Sequence, residues 1–183
     1  MRKITCFLFT AAFTLFCSSG FAQSFDIFVK ALDNNGVVIN GGSTVPGHLK
    51  EFQTFSESFG VSGACSTCVA DISSYNIMTR FANGTITLYQ LSLSGLHLQS
   101  VDVTFHRSAN TFDFYKVHME DVIVESVQES GSTGGDSTPT VSISFRPTRI
   151  AWLFTATASD GTSASTKTKA GWDNFNKIPW SYY

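Results

Sequence analysis

The sequence predicts a mainly β chain, a barrel or sandwich of strands with one short helix against it. Three observations carry that reading. Apolar and polar residues alternate with period two in several runs rich in Val, Ile and Phe. Only one segment, Thr85 to Ser94, has leucines spaced for a helix face. Strand-like runs lie on both sides of it, without the strand-helix alternation of a parallel sheet.

The elements follow in order. Ser24 to Lys30 alternates and reads as a strand, and Asp33-Asn34-Asn35-Gly36 reads as a turn. Asn40 to Gly47 is a long loop rich in residues that tolerate unusual dihedrals. Glu51 to Phe59 carries Phe52, Phe55 and Phe59, the stripe of a strand with a bulge or of a distorted turn. Thr85 to Ser94 carries Leu88, Leu91 and Leu93 and is followed by Gly95 as a stop; its Thr and Ile content leaves a strand in competition. Val101, Val103 and Phe105 alternate with Asp102, Thr104 and His106. Phe112 to Val127 holds two β-rich runs around Met119-Glu120-Asp121, and Val141 to Phe145 and Ile150 to Phe154 alternate again. Gly131 to Pro139 is a polar turn region.

Residues 1–22 are set apart. Arg2 and Lys3 precede an apolar run from Ile4 to Phe16, and Gly20-Phe21-Ala22 places small residues at −3 and −1. This is the pattern of a secretory signal peptide cleaved between Ala22 and Gln23. Residues 23–183 are then read as a single domain, exported to the periplasm or beyond the cell. Cleavage removes Arg2 and Lys3 from the 12 basic residues, leaving 10 against 14 acids, formally −4. Such a chain has no basic field to attract nucleic acid. Nothing after residue 22 approaches eighteen uninterrupted apolar residues, so no stable membrane insertion is expected after cleavage.

Catalytic signatures are few. Cys65 and Cys68 form a C-x-x-C, the spacing of thiol oxidoreductases, but without their βαβ frame. Export to an oxidising compartment favours a disulfide between them. Zinc on this pair would need two further ligands, and no second C-x-x-C exists. His48, His97, His106 and His118 fall in four separate segments with no i, i+4 pair, so they read as isolated polar or packed residues. Glu120 and Asp121 are adjacent on a strand and point to opposite faces, so they do not serve as paired acids. There is no G-x-S-x-G elbow and no phosphate loop. No cofactor and no metal are expected. Trp152, Trp172, Trp180 and the terminal tyrosines read as core or interface anchors, or as a sugar-stacking face.

Seven stretches stand in a fixed order along the chain: Asp26 to Lys30; Gly42-Ser43-Thr44, His48 and Lys50-Glu51-Phe52; Ser56 to Ser62; Gly95 to Val101; Tyr115 to Val127; Thr140 to Phe145; and Gly171-Trp172-Asp173. In these stretches and this order the chain resembles the haemolysin-coregulated protein family, Hcp, the tube protein of type VI secretion. The resemblance implies a compact β-barrel of two antiparallel sheets with one short flanking helix. It implies a non-enzymatic subunit of hexameric rings that stack into a tube, with secretion-system components or effector cargo as further partners. It makes Gly42, Ser43, Thr44, Val45 and His48 candidates for a subunit-interface loop. The family's acidic residue in that loop is Gly42 here. Competing readings are an exported monomeric binding module of the same fold and, on the C-x-x-C alone, a thiol enzyme.

Overall fold

The computed structural model describes residues 25–63, 71–108, 112–133, 137–158 and 162–183. The sites read at Ala22, Gln23, Cys65 and Cys68 lie outside them. Among the described residues there are ten strands and one helix. The strands are β1 (Phe25–Leu32), β2 (Phe52–Ser58), β3 (Val61–Ser62), β4 (Asp71–Ile72) and β5 (Tyr75–Arg80), then β6 (Leu98–Arg107), β7 (Phe112–Ser130), β8 (Thr140–Thr157), β9 (Ser163–Asp173) and β10 (Ile178–Pro179). The helix, α1 (Asn83–Ser94), lies between β5 and β6. No helix among the described residues is long and apolar enough to cross a membrane.

One sheet runs in the order β10-β9-β8-β5-β2-β1-β6-β7, and β7 pairs back onto β8. Six strands thereby close into an antiparallel barrel, with β9 and β10 continuing outside it. The second sheet is the two-stranded ribbon β3–β4. The mainly β barrel with one flanking helix is therefore what the chain forms.

The barrel interior takes alternate residues from every strand. Val29 and Ala31, Phe52, Tyr75 and Ile77, Val101 and Val103, Val141 and Ile143 are all 1% exposed or less. Truncating Phe52 to alanine would cost about 3–5 kcal/mol.

The interrupted patterns of β7 and β8 have one cause. Val117 and Met119 face the core, and then Val122 and Val124 do, so the inward parity changes across Asp121. Asp121 has a positive φ of 50°. The kink turns the second half of the strand so that its apolar set again faces inward. In β8 the parity changes likewise between Phe145 and Ile150. Thr148 Oγ1 donates to Asp121 Oδ2 at 2.7 Å, which pins the two kinks together. The outer partner of β8 changes here too, from β5, which pairs with it as far as Phe145, to β9, which pairs with it from Arg149 onward. Pro147, with no N–H to give, sits in the gap between them.

Helix α1 buries Gly84, Thr85, Leu88 and Leu91, one face at helical spacing. It begins two residues before the predicted stretch and ends where Gly95, at φ 67°, donates its N–H to Leu91 O at 3.0 Å. Thr85 Oγ1 accepts the Ala82 N–H at the start. A Cβ on Gly84 would lie 2.7 Å from both Ile39 Cγ2 and Phe52 Cζ, so the glycine allows the helix to press on the barrel.

Candidate assembly site

The long loop between β1 and β2 is ordered by its own backbone. The Gly41 N–H donates to Lys50 O at 2.7 Å, the Lys50 N–H to Ser43 O at 2.8 Å, and the Ser43 N–H to Glu51 O at 3.0 Å. These bonds make a narrow double strand of a segment whose composition reads as mobile. Asn40 Oδ1 accepts the Gly42 N–H, and Ser43 Oγ accepts the Val45 N–H, two side-chain turns of the kind these residues favour. At the tip, Val45-Pro46-Gly47-His48 closes a β-turn, with the His48 N–H on Val45 O at 2.9 Å and Gly47 at φ 89°. Proline and then glycine at the two central positions is the type II signature. Gly41 is required for another reason: a Cβ there would lie 2.3 Å from Phe52 N.

Of the residues read as interface candidates, Gly42 and Thr44 are exposed, Ser43 and Val45 half-buried, and His48 buried. His48 is thus an internal anchor of the loop rather than a displayed contact. Its ring stacks on Phe28, with centroids 4.0 Å apart and planes 2° from parallel. The residue the tip displays is Leu49, 64% exposed, which the sequence reading passed over.

The four histidines are not all isolated, because strand pairing overrides their distance in sequence. β6 and β7 place His106 opposite Asp113. His106 Nδ1 lies 2.8 Å from Asp113 Oδ1, and Lys116 Nζ donates to Asp113 Oδ2 at 2.8 Å. The loop delivers His48 to the same place, its ring 5.1 Å from that of His106. Burial would raise the Asp113 carboxyl, but the bonds from Lys116 and His106 outweigh it and hold the group below its ordinary value. His97 and His118 stay apart from this group, on Asp121 and Asp102 respectively.

The C-terminal segment returns across the sheet. The Trp180 N–H donates to Gly171 O at 3.0 Å, and Tyr182 stacks on His118 at 3.5 Å. A Cβ at Gly171 would meet Trp180 O at 2.5 Å, so the tail packs directly on backbone. Asp173 holds the turn before the tail. Its carboxylate accepts the Phe175 and Asn176 N–H groups at 3.0 and 2.8 Å, and Arg149 Nε at 3.1 Å. Hydrogen bonds from Asn176, and then Arg149, lower its pKa to about 2. Trp152 and Trp172 pack against the core, which leaves Trp180 as the tryptophan of the tail.

Beside the loop base lies an open groove of about 870 Å³, lined among others by Asp26, Gly42, Phe55, Arg80 and Phe81. Phe55, from the bulged part of β2, is 52% exposed there. The surface thus offers a displayed apolar tip and, separately, an apolar-edged recess.

Residues 28–154 match the family model described as "Type VI secretion system effector, Hcp". The chain belongs to the Hcp family. Solved Hcp-like structures share its fold. One described as a type six secretion system protein is 21% identical, with a TM-score of 0.78, over 86% of this chain and 100% of its own. Hcp1 from Salmonella typhimurium is 19% identical, with a TM-score of 0.72, over 86% and 99%. A type VI secretion system effector from Yersinia pestis is 21% identical, with a TM-score of 0.66, over 81% and 99%. No protein of curated function matches the chain. The Hcp match extends from β1 into β8, so the β1–β2 loop and the His48 group lie inside it and the tail lies beyond it.

Proposed function

We propose that the chain is an exported, non-enzymatic Hcp subunit that self-associates into hexameric rings associated with type VI secretion. The observation that carries this reading is the braced loop of residues 41–51 on an Hcp barrel, with Leu49 displayed at its tip. The tip and the groove edged by Phe55 are different patches of one subunit. A contact between unlike patches repeats around an axis and closes into a ring when the rotation permits. In this reading Leu49 and Thr44 of one subunit meet the groove face of the next, and secretion-system components or cargo meet the finished ring. The signal peptide, cleaved between Ala22 and Gln23, delivers the subunit to the periplasm or outside. Cys65 and Cys68, which lie in sequence between the paired strands β3 and β4, form a disulfide.

Light scattering of the exported protein at micromolar concentration tests the assembly. Six times the protomer mass is expected. A strictly monomeric mass refutes the ring and leaves the binding-module reading of the same fold.

A further inference from the structure

The tip of the assembly loop carries a grouping that packing alone does not explain. His48, His106 and Asp113 each offer a ligand atom, and these atoms lie within 4.8 Å of one another. They come from three places, the loop, β6 and β7.

His48 Nδ1 lies 2.9 Å from Glu51 Oε2. A carboxylate only accepts, so Nδ1 carries the proton and donates it. In a neutral ring Nε2 then presents a lone pair. That atom faces Asp113 Oδ1 at 3.9 Å. This separation is too long for a hydrogen bond. It sets acceptor against acceptor, with His48 itself buried. Two coordination bonds of about 2.0–2.1 Å span such a gap with small adjustment. By the same rule His106 Nδ1 donates to that Oδ1 at 2.8 Å, so an ion held between them takes the place of this proton and its binding releases it, while Lys116 occupies Oδ2.

We propose that His48, His106 and Asp113 bind one divalent transition-metal ion, with Zn²⁺ as the fitting occupant. Two imidazoles and a monodentate carboxylate suit zinc chemistry, and three protein ligands leave a fourth position for water. Glu51 is the orienting partner: a carboxylate on the far nitrogen of a ligating histidine fixes its tautomer and raises its basicity. Lys116 opposes the ion's charge and limits affinity, while the carboxylates of Glu51 and Asp113 favour it. The ion would clip the loop tip to the β6–β7 hairpin. Its consequence for assembly rests on the function proposed above; the binding itself does not.

The test uses protein produced from the full-length chain, stripped with chelator and titrated with Zn²⁺ by calorimetry and with Co²⁺ by visible absorption. One ion per chain and a Co²⁺ d–d band are expected. His106→Gln and Asp113→Asn should each weaken binding by at least about tenfold, and Glu51→Gln by about 10–100-fold. Circular dichroism checks that each variant is folded. Should a variant unfold, the wild type still decides the matter: long-range ¹⁵N–¹H spectra must show the ring nitrogens of His48 and His106 shifting on Zn²⁺ addition while those of His97 and His118 stand still. No saturable uptake at about 100 µM Zn²⁺ overturns the proposal. So does uptake that His106→Gln and Asp113→Asn leave unchanged, which would place the ion elsewhere, as on the Cys65–Cys68 thiols.

Discussion

Phe28 points away from the barrel core, yet it is 1% exposed because His48 lies flat over it at 4.0 Å. Its strand neighbours Ile27 and Val29 belong to the core cluster and Phe28 does not. β1 is therefore covered on both faces, by the core on one and by the loop on the other.

Stacking on Phe28 is then a separable part of the loop's stability. His48→Ala should lower the unfolding free energy from urea titration by about 1–3 kcal/mol, since it removes the stacked ring and strands the Glu51 carboxylate. His48→Phe keeps the ring and should lose less. Equal losses in the two variants would show that the stack contributes nothing.

Gly84→Ala sets helix propensity against contact. Alanine is favoured over glycine in a helix interior by about 1 kcal/mol. The added methyl would approach Ile39, Phe52 and Asn40 O at 2.7–2.8 Å. The contact should win, with a net destabilisation of about 1–3 kcal/mol by overpacking. A more stable variant in denaturant unfolding would mean that α1 can slide off the barrel without cost.

The residues differ in how openly they announce these roles. Alternation in β6 and in each half of β8 is legible because one face is core and the other is not. Two runs in β7 are legible as well, but not that they form one strand. That depends on Asp121 taking a left-handed conformation, and nothing beside it in sequence shows this. β9 pairs along β8 from Arg149 to Thr157, yet Ser163 to Lys169 are nearly all polar and exposed. A strand outside the barrel has no core face to imprint a period, so only its partner reveals it. β5 is different: Tyr75, Ile77 and Thr79 alternate inward, so its period of two is legible in the sequence. The meeting of His48 with His106 is illegible in principle, since it depends on how a loop folds back over β1 and on the register of β6 with β7. Spacing rules for metal ligands see only neighbours on one element.

Acid should loosen the tail's turn before it unfolds the barrel. The pKa of Asp173 is about 2 in the folded chain, below the unfolded value near 3.9. A depressed carboxyl contributes stability that is complete above the unfolded pKa and is lost as pH falls through the folded one. The melting temperature of the wild type should therefore drop between about pH 4 and pH 2. Asp173→Asn should be less stable than the wild type at pH 7 and should show a shallower drop. Parallel pH profiles for the two would remove Asp173 from the account.

The Cys65–Cys68 pair should give no titratable thiol in denatured, unreduced exported protein. The bridge would close a very small loop, so it constrains the unfolded chain little. Reduction should therefore move the melting temperature by only a few degrees. Two free thiols, or a cross-link between subunits through Cys65, would refute the assignment.

The loop tip supplies the decisive test of assembly. His48 is unsuitable for it, because a charge there would be buried and would damage the fold rather than the contact. Leu49 and Thr44 are both exposed, so charged substitutions there cost the monomer little. Leu49→Glu should shift light-scattering mass from six protomers toward one, and Thr44→Glu should add to it by repulsion around the ring, where each subunit, cleaved as proposed, would carry a formal −4. Leu93, 89% exposed on α1, provides the control. Leu93→Glu introduces the same charge away from the loop and should leave the mass unchanged. If Leu93→Glu dissociates the ring and Leu49→Glu does not, the subunits meet through the helix face and the loop serves another purpose.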